Sequence, residues 1–336
     1  MTEILELNDN GLYCPDGDFY VDPWRPVARA VITHAHSDHA RQGSRAYLAS
    51  REGEAVLRRR LGEDARIEIL EWGERTVLDG VRVSLHPAGH ILGSAQVRIE
   101  SRGRVAVVSG DYKIDPDPTC SPFEPLPCHL FITESTFGLP VFRWPAEADV
   151  LAQIRAWWTA NREAGRASLM LAYSLGKAQR VLAGLADADG PIYTHGAIEG
   201  MNALYREAGR PLAETRYVGD AAVSTDYSGA LILAPPGAAA SSWVRRFGQV
   251  STAMCSGWMR IRGTRRRRAL DRGFVLSDHV DWPGLLGAIE ATGAEEVWVT
   301  HGYTRAVVRW LEERGLRARP LPTQFDASLE AEWESS

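Results

Sequence analysis

Short apolar runs that end in polar residues recur through the first 140 residues of the chain. Four of them read ARAVITHAH, VRVSLHPAG, RVAVVSGD and LFITEST, and all are rich in β-branched residues. This pattern predicts short strands, each followed by a polar side chain that could serve a function. One helical pattern, REGEAVLRRRLG, lies among them.

From about residue 145 the pattern changes to strands and helices in regular alternation. ASLMLAY leads to LGKAQRVLAGLA, PIYTH leads to AIEGMNALYREAG, and ALILAPP leads to AAASSWVRRFG. Such repeats predict a small parallel sheet covered by helices. The first pattern returns in GFVLSDHVDW and EEVWVTHGYT, so we expect one catalytic domain, residues 1–145 and 265–336, interrupted by a cap domain, residues 146–264.

Composition places the chain among ordinary soluble globular proteins, with 45% hydrophobic and 24% charged residues. No long uncharged apolar run indicates a membrane span, and the acidic N-terminal stretch lacks the features of a secretory signal. We therefore expect a cytoplasmic protein. The four cysteines form no C-x-x-C pair, which favours reduced structural thiols.

The positive charge is clustered although the net charge is −5. Seven arginines fall in RIRGTRRRRALDR, between Arg260 and Arg272. This stretch could follow a nucleic-acid strand, or it could be the solvated face of a helix.

The strongest chemical signal is the segment HAHSDH, directly after the apolar run AVIT. In an extended or tightly turned segment, His34 and His36 point the same way and could share one metal ion, whereas Asp38 and His39 could reach a second. Imidazole and carboxylate ligands suit zinc or manganese.

Further potential ligands stand at the ends of other predicted strands. His90 lies in HPAGHILGSAQ, Asp111 ends VVSGD, and His301 ends VWVTH. A carboxylate such as that of Asp111 can bridge two cations. Each of these residues alone could equally be an ordinary turn residue.

These motifs resemble those of a known family. HAHSDH, GHILGSAQ and SGDY are similar to the metal-binding motifs of the metallo-β-lactamase superfamily. Residues 133–138, 277–281 and 300–302 resemble the three signatures of its β-CASP nucleases, and the likeness covers almost the whole chain. The resemblance implies an α/β protein with a four-layer αβ/βα metallo-β-lactamase fold and an inserted β-CASP-like parallel α/β cap domain.

The resemblance also implies roles for single residues and a cofactor of two divalent metal ions, zinc or manganese. One ion would be held by His34, His36 and His90, the other by Asp38, His39 and His301, with Asp111 bridging them. His279 would contact the scissile phosphate and protonate the leaving oxygen, with its ring oriented by Glu134. The catalytic residues would then be Asp38, Asp111, Glu134 and His279.

Five further residues are weaker candidates for contacts with substrate phosphates. Ser174 and Lys177 lie between a predicted strand and a helix, where simple helix capping explains them equally well. Ser256, Gly257 and Arg260 offer close backbone approach and positive charge. His195, in YTHG, is another residue that could face a substrate.

Within the family, the segments THGY and SDHVDW look most like those of bacterial exonucleases associated with an ATP-dependent DNA ligase. The expected partner is then DNA, as a single strand or a duplex end, with a possible functional association with such a ligase. Cross-link repair DNases usually lack a histidine at the position of His301, so an RNA endo- or exonuclease of the 3′-end-processing type stays open. A binding protein without the chemistry is a third possibility, although every potential ligand is present.

Overall fold

A computed structural model describes residues 3–261, 263 and 269–323 of the chain. The described chain forms two compact units. Of the described residues, the first unit takes in those up to 142 and those from 279 to 323, and the second runs from residue 143 to residue 278.

The first unit contains two sheets. One has the spatial order β1 (Glu6–Asn8), β2 (Gly11–Cys14), β3 (Phe19–Val21), β4 (Ala30–Val31), β5 (Tyr47–Ser50) and β6 (Ile67–Leu70), and β3 to β6 are parallel. The other has the order β19 (Arg317–Pro320), β18 (Glu296–Thr300), β11 (Leu130–Glu134), β10 (Arg104–Val108), β9 (Ala95–Ser101), β8 (Val81–Pro87) and β7 (Arg75–Leu78). In this second sheet β10, β11, β18 and β19 are parallel, whereas β7 to β10 pair antiparallel.

Side chains from both sheets of the first unit meet in one buried core. Leu12 and Val31 from the first sheet belong to the same cluster as Val83, Val97 and Ile132 from the second. Burial alternates along the ends of β8, as expected for a strand with one face in the core. The two sheets are therefore held together by hydrophobic burial.

The helices are α1 (Glu54–Leu61), α2 (Glu147–Glu163), α3 (Lys177–Gly184), α4 (Gly196–Glu207), α5 (Trp282–Thr292) and α6 (Thr304–Glu312). The residues at the two ends of helix α5 explain where it begins and ends. The Asp281 side chain accepts a hydrogen bond from Gly284 N at 2.9 Å, Pro283 lies in the first turn, and Gly293 ends the helix at a φ of 59°. Leu285 of α5 then packs with Phe131 in a second core.

The second unit is built on a parallel sheet with the order β14 (Arg216–Tyr217), β13 (Ile192–Thr194), β15 (Leu231–Ala234), β12 (Ala167–Leu171), β16 (Val250–Cys255) and β17 (Arg272–Phe274). Every residue of β12 is buried, which explains its continuous apolar sequence. Trp157 and Trp158 of α2 are buried in the core of this unit. The chain is thus a mixed α/β protein, as its alternating pattern predicts.

Within the described residues, no helix is long and apolar enough to cross a membrane.

Candidate metal centre

The predicted metal ligands of the first unit follow the ends of strands in its two sheets. The segment from His34 to His39 follows β4 of the first sheet. It turns tightly, because Ala40 N donates a hydrogen bond to His36 O at 2.8 Å. Asp111 and His301 follow β10 and β18, two strands of the parallel part of the second sheet. Parallel strands end at the same edge of a sheet, so these side chains meet.

Four of these side chains converge in a first group. It consists of His34, His36, His90 and Asp111. His36 Nδ1 lies 3.1 Å from both His34 Nε2 and His90 Nε2. Asp111 Oδ2 lies 3.5 Å from His34 Nε2 and 3.7 Å from His90 Nε2.

Asp38, His39 and His301 form a second group. His39 Nε2 lies 3.5 Å from Asp38 Oδ2 and 3.6 Å from Asp111 Oδ2. The same Asp111 oxygen therefore stands beside both groups. His301 is held at a φ of 53°, and Gly302 beside it has a φ of 69°. A Cβ at position 302 would lie 2.4 Å from Ser135 O, which explains why a glycine follows His301.

The spacing of these atoms fits metal ions. Ligand atoms about 2.1 Å from a tetrahedral zinc ion lie about 3.4 Å from one another. The distances of 3.1–3.7 Å in the first group and of 3.5 Å between His39 and Asp38 in the second are close to this value. His39 Nε2 is buried and has no hydrogen-bond partner in the described part of the chain. A buried nitrogen without a partner carries a desolvation cost that a cation would remove. The residues present therefore fit a pair of divalent cations.

The electrostatics of the groups reflect burial and mutual proximity. Burial lowers the pKa of His34 well below its usual value, and the neighbouring histidines lower it further. Burial also raises the pKa of Asp111 to about 7, although His39 opposes this. For Asp38, burial raises the pKa, but His39 and His36 outweigh it and bring the value to about 2. Burial lowers the pKa of His39, but the carboxylates of Asp38, Asp111 and Asp22 outweigh it and raise the value well above its usual range. Metals bind neutral imidazole and ionised carboxylate, so the pKa values of His34 and Asp38 favour metal binding, whereas at Asp111 and His39 a cation would have to displace a proton.

Asp22 is a member of this centre that the sequence did not reveal. Its Oδ2 accepts hydrogen bonds from His39 Nδ1 at 2.7 Å and from Thr33 Oγ1 at 2.5 Å, and its Oδ1 accepts one from Thr33 N at 2.8 Å. This arrangement keeps the proton of His39 on Nδ1 and leaves Nε2 to face the second group. The only sequence signal was an aspartate before a proline, which indicates a turn.

A histidine–glutamate pair stands beside the first group. His279 Nδ1 lies 3.0 Å from both carboxylate oxygens of Glu134, and Tyr112 N donates to Glu134 Oε1 at 2.9 Å. Asp111, Glu134 and His279 offer atoms within 4.8 Å of one another. Burial raises the pKa of Glu134, but His279 outweighs this effect and lowers the value below its usual range. The carboxylate therefore fixes the ring of His279 through Nδ1.

A pocket opens on the second group from within the first unit. Asp38, His39 and His301 line it together with apolar residues that include Trp24 and Leu321. This centre is therefore accessible to a bound molecule.

The five candidate phosphate contacts all lie in the second unit, in different settings. Lys177 is buried, and its Nζ lies 2.7 Å from Asp278 Oδ2. Ser174 is half-buried and accepts a hydrogen bond from Gln179 Nε2 at its backbone oxygen.

Ser256 accepts a hydrogen bond at its side chain from Trp258 N at 3.3 Å and begins the short 3-10 helix Gly257–Arg260. Ser256 and Gly257 are buried, whereas Arg260 is exposed. Of the predicted arginine cluster, Arg262 and residues 265–268 lie outside the described residues. The phosphate contacts stay predictions.

Comparison with known proteins gives relatives but no family assignment. No protein-family model matches the chain. A protein of Opitutus terrae named "Probable DNA ligase" is 32% identical over 92% of this chain and 30% of its own length. The "Endoribonuclease YSH1" of Candida glabrata is 31% identical over 35% of this chain and 15% of its own length. The chain thus spans less than a third of either relative.

Among solved structures, a protein of unknown function from Enterococcus faecalis is similar in fold. The match has a TM-score of 0.59 and 13% sequence identity, and it covers 88% of this chain and 79% of the other. This likeness concerns the fold alone.

Proposed function

We propose that this chain is a metal-dependent nuclease of the metallo-β-lactamase/β-CASP type, and specifically a two-metal DNA exonuclease that acts in DNA end processing and repair. The observation that carries the proposal is the single carboxylate oxygen, Asp111 Oδ2, between two groups of potential metal ligands. Two cations that share a carboxylate suit the hydrolysis of phosphodiesters, where charge develops on several oxygens at once. We assign the four-layer fold to the first unit and the β-CASP-like cap to the second.

In this proposal, residues of the first unit bind the metal ions and orient the side chains that hold them. Two bound divalent cations would supply Lewis-acid stabilisation of the charge on the phosphoryl oxygens. His34, His36 and His90 would hold one of them, and Asp38, His39 and His301 the other. Asp22 and Thr33 keep the protons of the buried imidazoles away from the ligand atoms.

His279 is the proposed proton donor to the leaving oxygen. Its Nδ1 is engaged by Glu134, so we assign the contact with the substrate to its Nε2. A buried carboxylate on one ring nitrogen stabilises the protonated imidazole that a general acid needs. Glu134 is thus a positioning residue, and His279 delivers the proton.

We favour DNA as the substrate because the relative named as a DNA ligase is similar over a larger share of this chain than the endoribonuclease is. The relative named as a DNA ligase matches 92% of this chain, whereas the endoribonuclease matches 35%. A functional association with an ATP-dependent DNA ligase belongs to the same proposal. The second candidate is an RNA endo- or exonuclease, supported by the endoribonuclease relative and by the presence of His301.

The test is digestion of matched single-stranded and duplex DNA and RNA, labelled at either end, with Mn²⁺ or Zn²⁺. DNA-selective release of mononucleotides supports the exonuclease and gives its polarity. Preferential cleavage of RNA moves the protein to the second candidate. Inactivity of the metal-loaded protein on all four substrates refutes the nuclease.

Two variants make the test specific to the proposed centre. Asp111→Ala removes the shared carboxylate and should abolish both hydrolysis and the binding of two metal ions per chain, measured by elemental analysis. Asp64→Ala removes an exposed aspartate of the same unit and should change neither.

A further inference from the structure

A continuous chain of aromatic rings runs through the second unit. Ring centroids lie 4.9 Å apart for Tyr193 and Tyr227, 4.9 Å for Tyr227 and Phe247, and 4.7 Å for Phe247 and Trp243. The chain ends with His195, whose centroid lies 5.1 Å from that of Trp243. The first three rings are buried, but Trp243 and His195 are only half-buried. Three buried rings therefore support a partly open Trp–His pair.

The His195 ring and the Trp243 backbone are each held by a hydrogen bond of their own segment. His195 follows β13, and its Nδ1 accepts a hydrogen bond from Ala197 N at 3.1 Å. Trp243 lies in the short 3-10 helix Ser242–Phe247, and its backbone N donates to Ser241 Oγ at 3.3 Å. The carboxyl end of a parallel strand, where His195 stands, is the usual place for ligands in open α/β sheets. The hydrogen bond from Ala197 N therefore fixes the His195 ring, and the Trp243 ring packs between His195 and Phe247.

Positive charge accompanies the open end of the ring chain. Arg245 and Arg246 follow Trp243 in the same short helix, are exposed, and form no ion pair with a described residue. No acidic residue stands between Asp226 and Asp271 in the sequence. In a protein with a net charge of −5, the segment that carries Trp243, Arg245 and Arg246 therefore has positive charge only.

Flat rings beside unpaired arginines match the chemistry of single-stranded nucleic acid. Nucleobases stack on aromatic side chains irrespective of sequence, and arginines contact the phosphates between them. A duplex hides its base faces and would use the arginines only.

We propose that Trp243, His195, Arg245 and Arg246 form a stacking subsite for single-stranded nucleic acid. The proposal rests on the proposed function in taking nucleic acid as the substrate. It adds that the second unit binds an unpaired strand.

The experiment measures binding separately from hydrolysis. Fluorescence anisotropy follows single-stranded DNA, RNA and duplex DNA of about 15 nucleotides binding to the full chain, loaded with Mn²⁺, in a His279→Ala background. Trp243→Leu keeps an apolar side chain but removes the stacking face, and should raise Kd for single strands about 10-fold. Trp243→Phe keeps a ring and should stay within about 3-fold of the parent. Duplex binding should respond to neither change.

The arginines provide a second measurement, the salt dependence of binding, which a change in packing alone would not alter. Each phosphate contact of a single strand contributes about 0.7 to the slope of log K against log salt, so Arg245→Ala with Arg246→Ala should lower that slope by about 1.4. Arg59→Ala with Arg66→Ala removes two exposed arginines of the first unit as the matched control. Trp310→Leu removes a half-buried tryptophan of the first unit in the same way.

The outcomes separate this subsite from the nuclease itself. Unchanged binding by Trp243→Leu, or equal losses in the control variants, overturns the subsite, while hydrolysis by the parent chain leaves the nuclease standing. Binding that depends on Trp243 in a chain that hydrolyses no strand supports the subsite and refutes the nuclease. A parent chain that neither binds nor cuts any strand overturns both.

Discussion

The hydrogen bond between Asp22 and His39 makes the second metal-ligand group sensitive to a change of one atom. Asp22 accepts three hydrogen bonds, one from His39 Nδ1 and two from Thr33. In Asp22→Asn, one oxygen becomes an amide that donates. If that amide faces Thr33 N, two donors oppose each other. If it faces His39, the proton of the ring must move to Nε2, which can then no longer bind a cation.

Either orientation should weaken metal binding at the second group and spare the first. Partners that orient a metal-binding histidine typically contribute about 10–100-fold in affinity, or about 1.4–2.7 kcal/mol. In Asp22→Asn, a competing chelator should therefore remove the cation held by Asp38, His39 and His301 at a concentration about 10–100-fold lower than in the parent chain. The cation at His34, His36 and His90 serves as the internal reference.

Asp18→Asn is the matched control for this prediction. Asp18 and Asp22 both have positive φ, at 46° and 44°, which asparagine also tolerates, but Asp18 bonds only to Tyr13 among the described side chains. The control should leave both metal affinities unchanged. Equal weakening of both sites by Asp22→Asn, or no weakening, would show that the Asp22–His39 bond does not set the second site.

Three further changes test other parts of the molecule. Glu134→Gln should lower the hydrolysis rate about 10–100-fold with little change in KM, because His279 loses its orienting carboxylate. The pKa of Glu134 in the folded chain is lowered from 4.5, so the parent chain loses stability as the pH falls below that value. The variant should lose less stability than the parent over the same pH range, measured by urea unfolding. Lys177→Met should lower the free energy of unfolding by about 3 kcal/mol, because Asp278 loses its 2.7 Å partner and keeps Arg180 at 3.6 Å. Asp278→Leu in the same chain should recover part of this loss. Gly110→Ala should lower the free energy of unfolding by about 1–3 kcal/mol, because a Cβ there would lie 2.7 Å from Thr33 Cβ. Gly103→Ala is the control, since Gly103 also has a positive φ but its Cβ would meet open space. Equal losses of stability in the two variants would exclude the clash as the cause.

The two groups of potential ligands were predictable because their signal is local. Alternation along an extended segment separates the pair His34 and His36 from the pair Asp38 and His39, and strand ends indicate His90, Asp111 and His301 as further candidates. Which group each of these three joins was implied by the family resemblance and not by the local pattern. The mixed α/β class was predictable from the same runs.

Asp22 and Lys177 show what local patterns do not contain. Asp22 reaches His39 only because β3 and β4 are neighbours in one sheet, a pairing that no single segment specifies. The sequence predicts that Lys177 meets a phosphate, and this stays a prediction; the structure adds that its ammonium lies 2.7 Å from Asp278, a residue 101 positions later in the numbering. The position of a lysine in a loop says little about which distant carboxylate lies beside it.

The spacing of the proposed metal ions is set by how the two sheets of the first unit pack. His34 to His39 extend from β4 in one sheet, whereas Asp111 and His301 extend from β10 and β18 in the other. Within the second sheet, hydrogen bonding fixes the ligands relative to one another, since β11 pairs with both β10 and β18. Between the sheets, side-chain packing contributes through residues such as Val31 and Ile132 in one core, together with a hydrogen bond of 2.8 Å from Ala95 N to Thr33 O. Protein interiors are densely packed and transmit small shifts, so the distance from Asp111 Oδ2 to His39 Nε2 depends on core residues that touch neither atom.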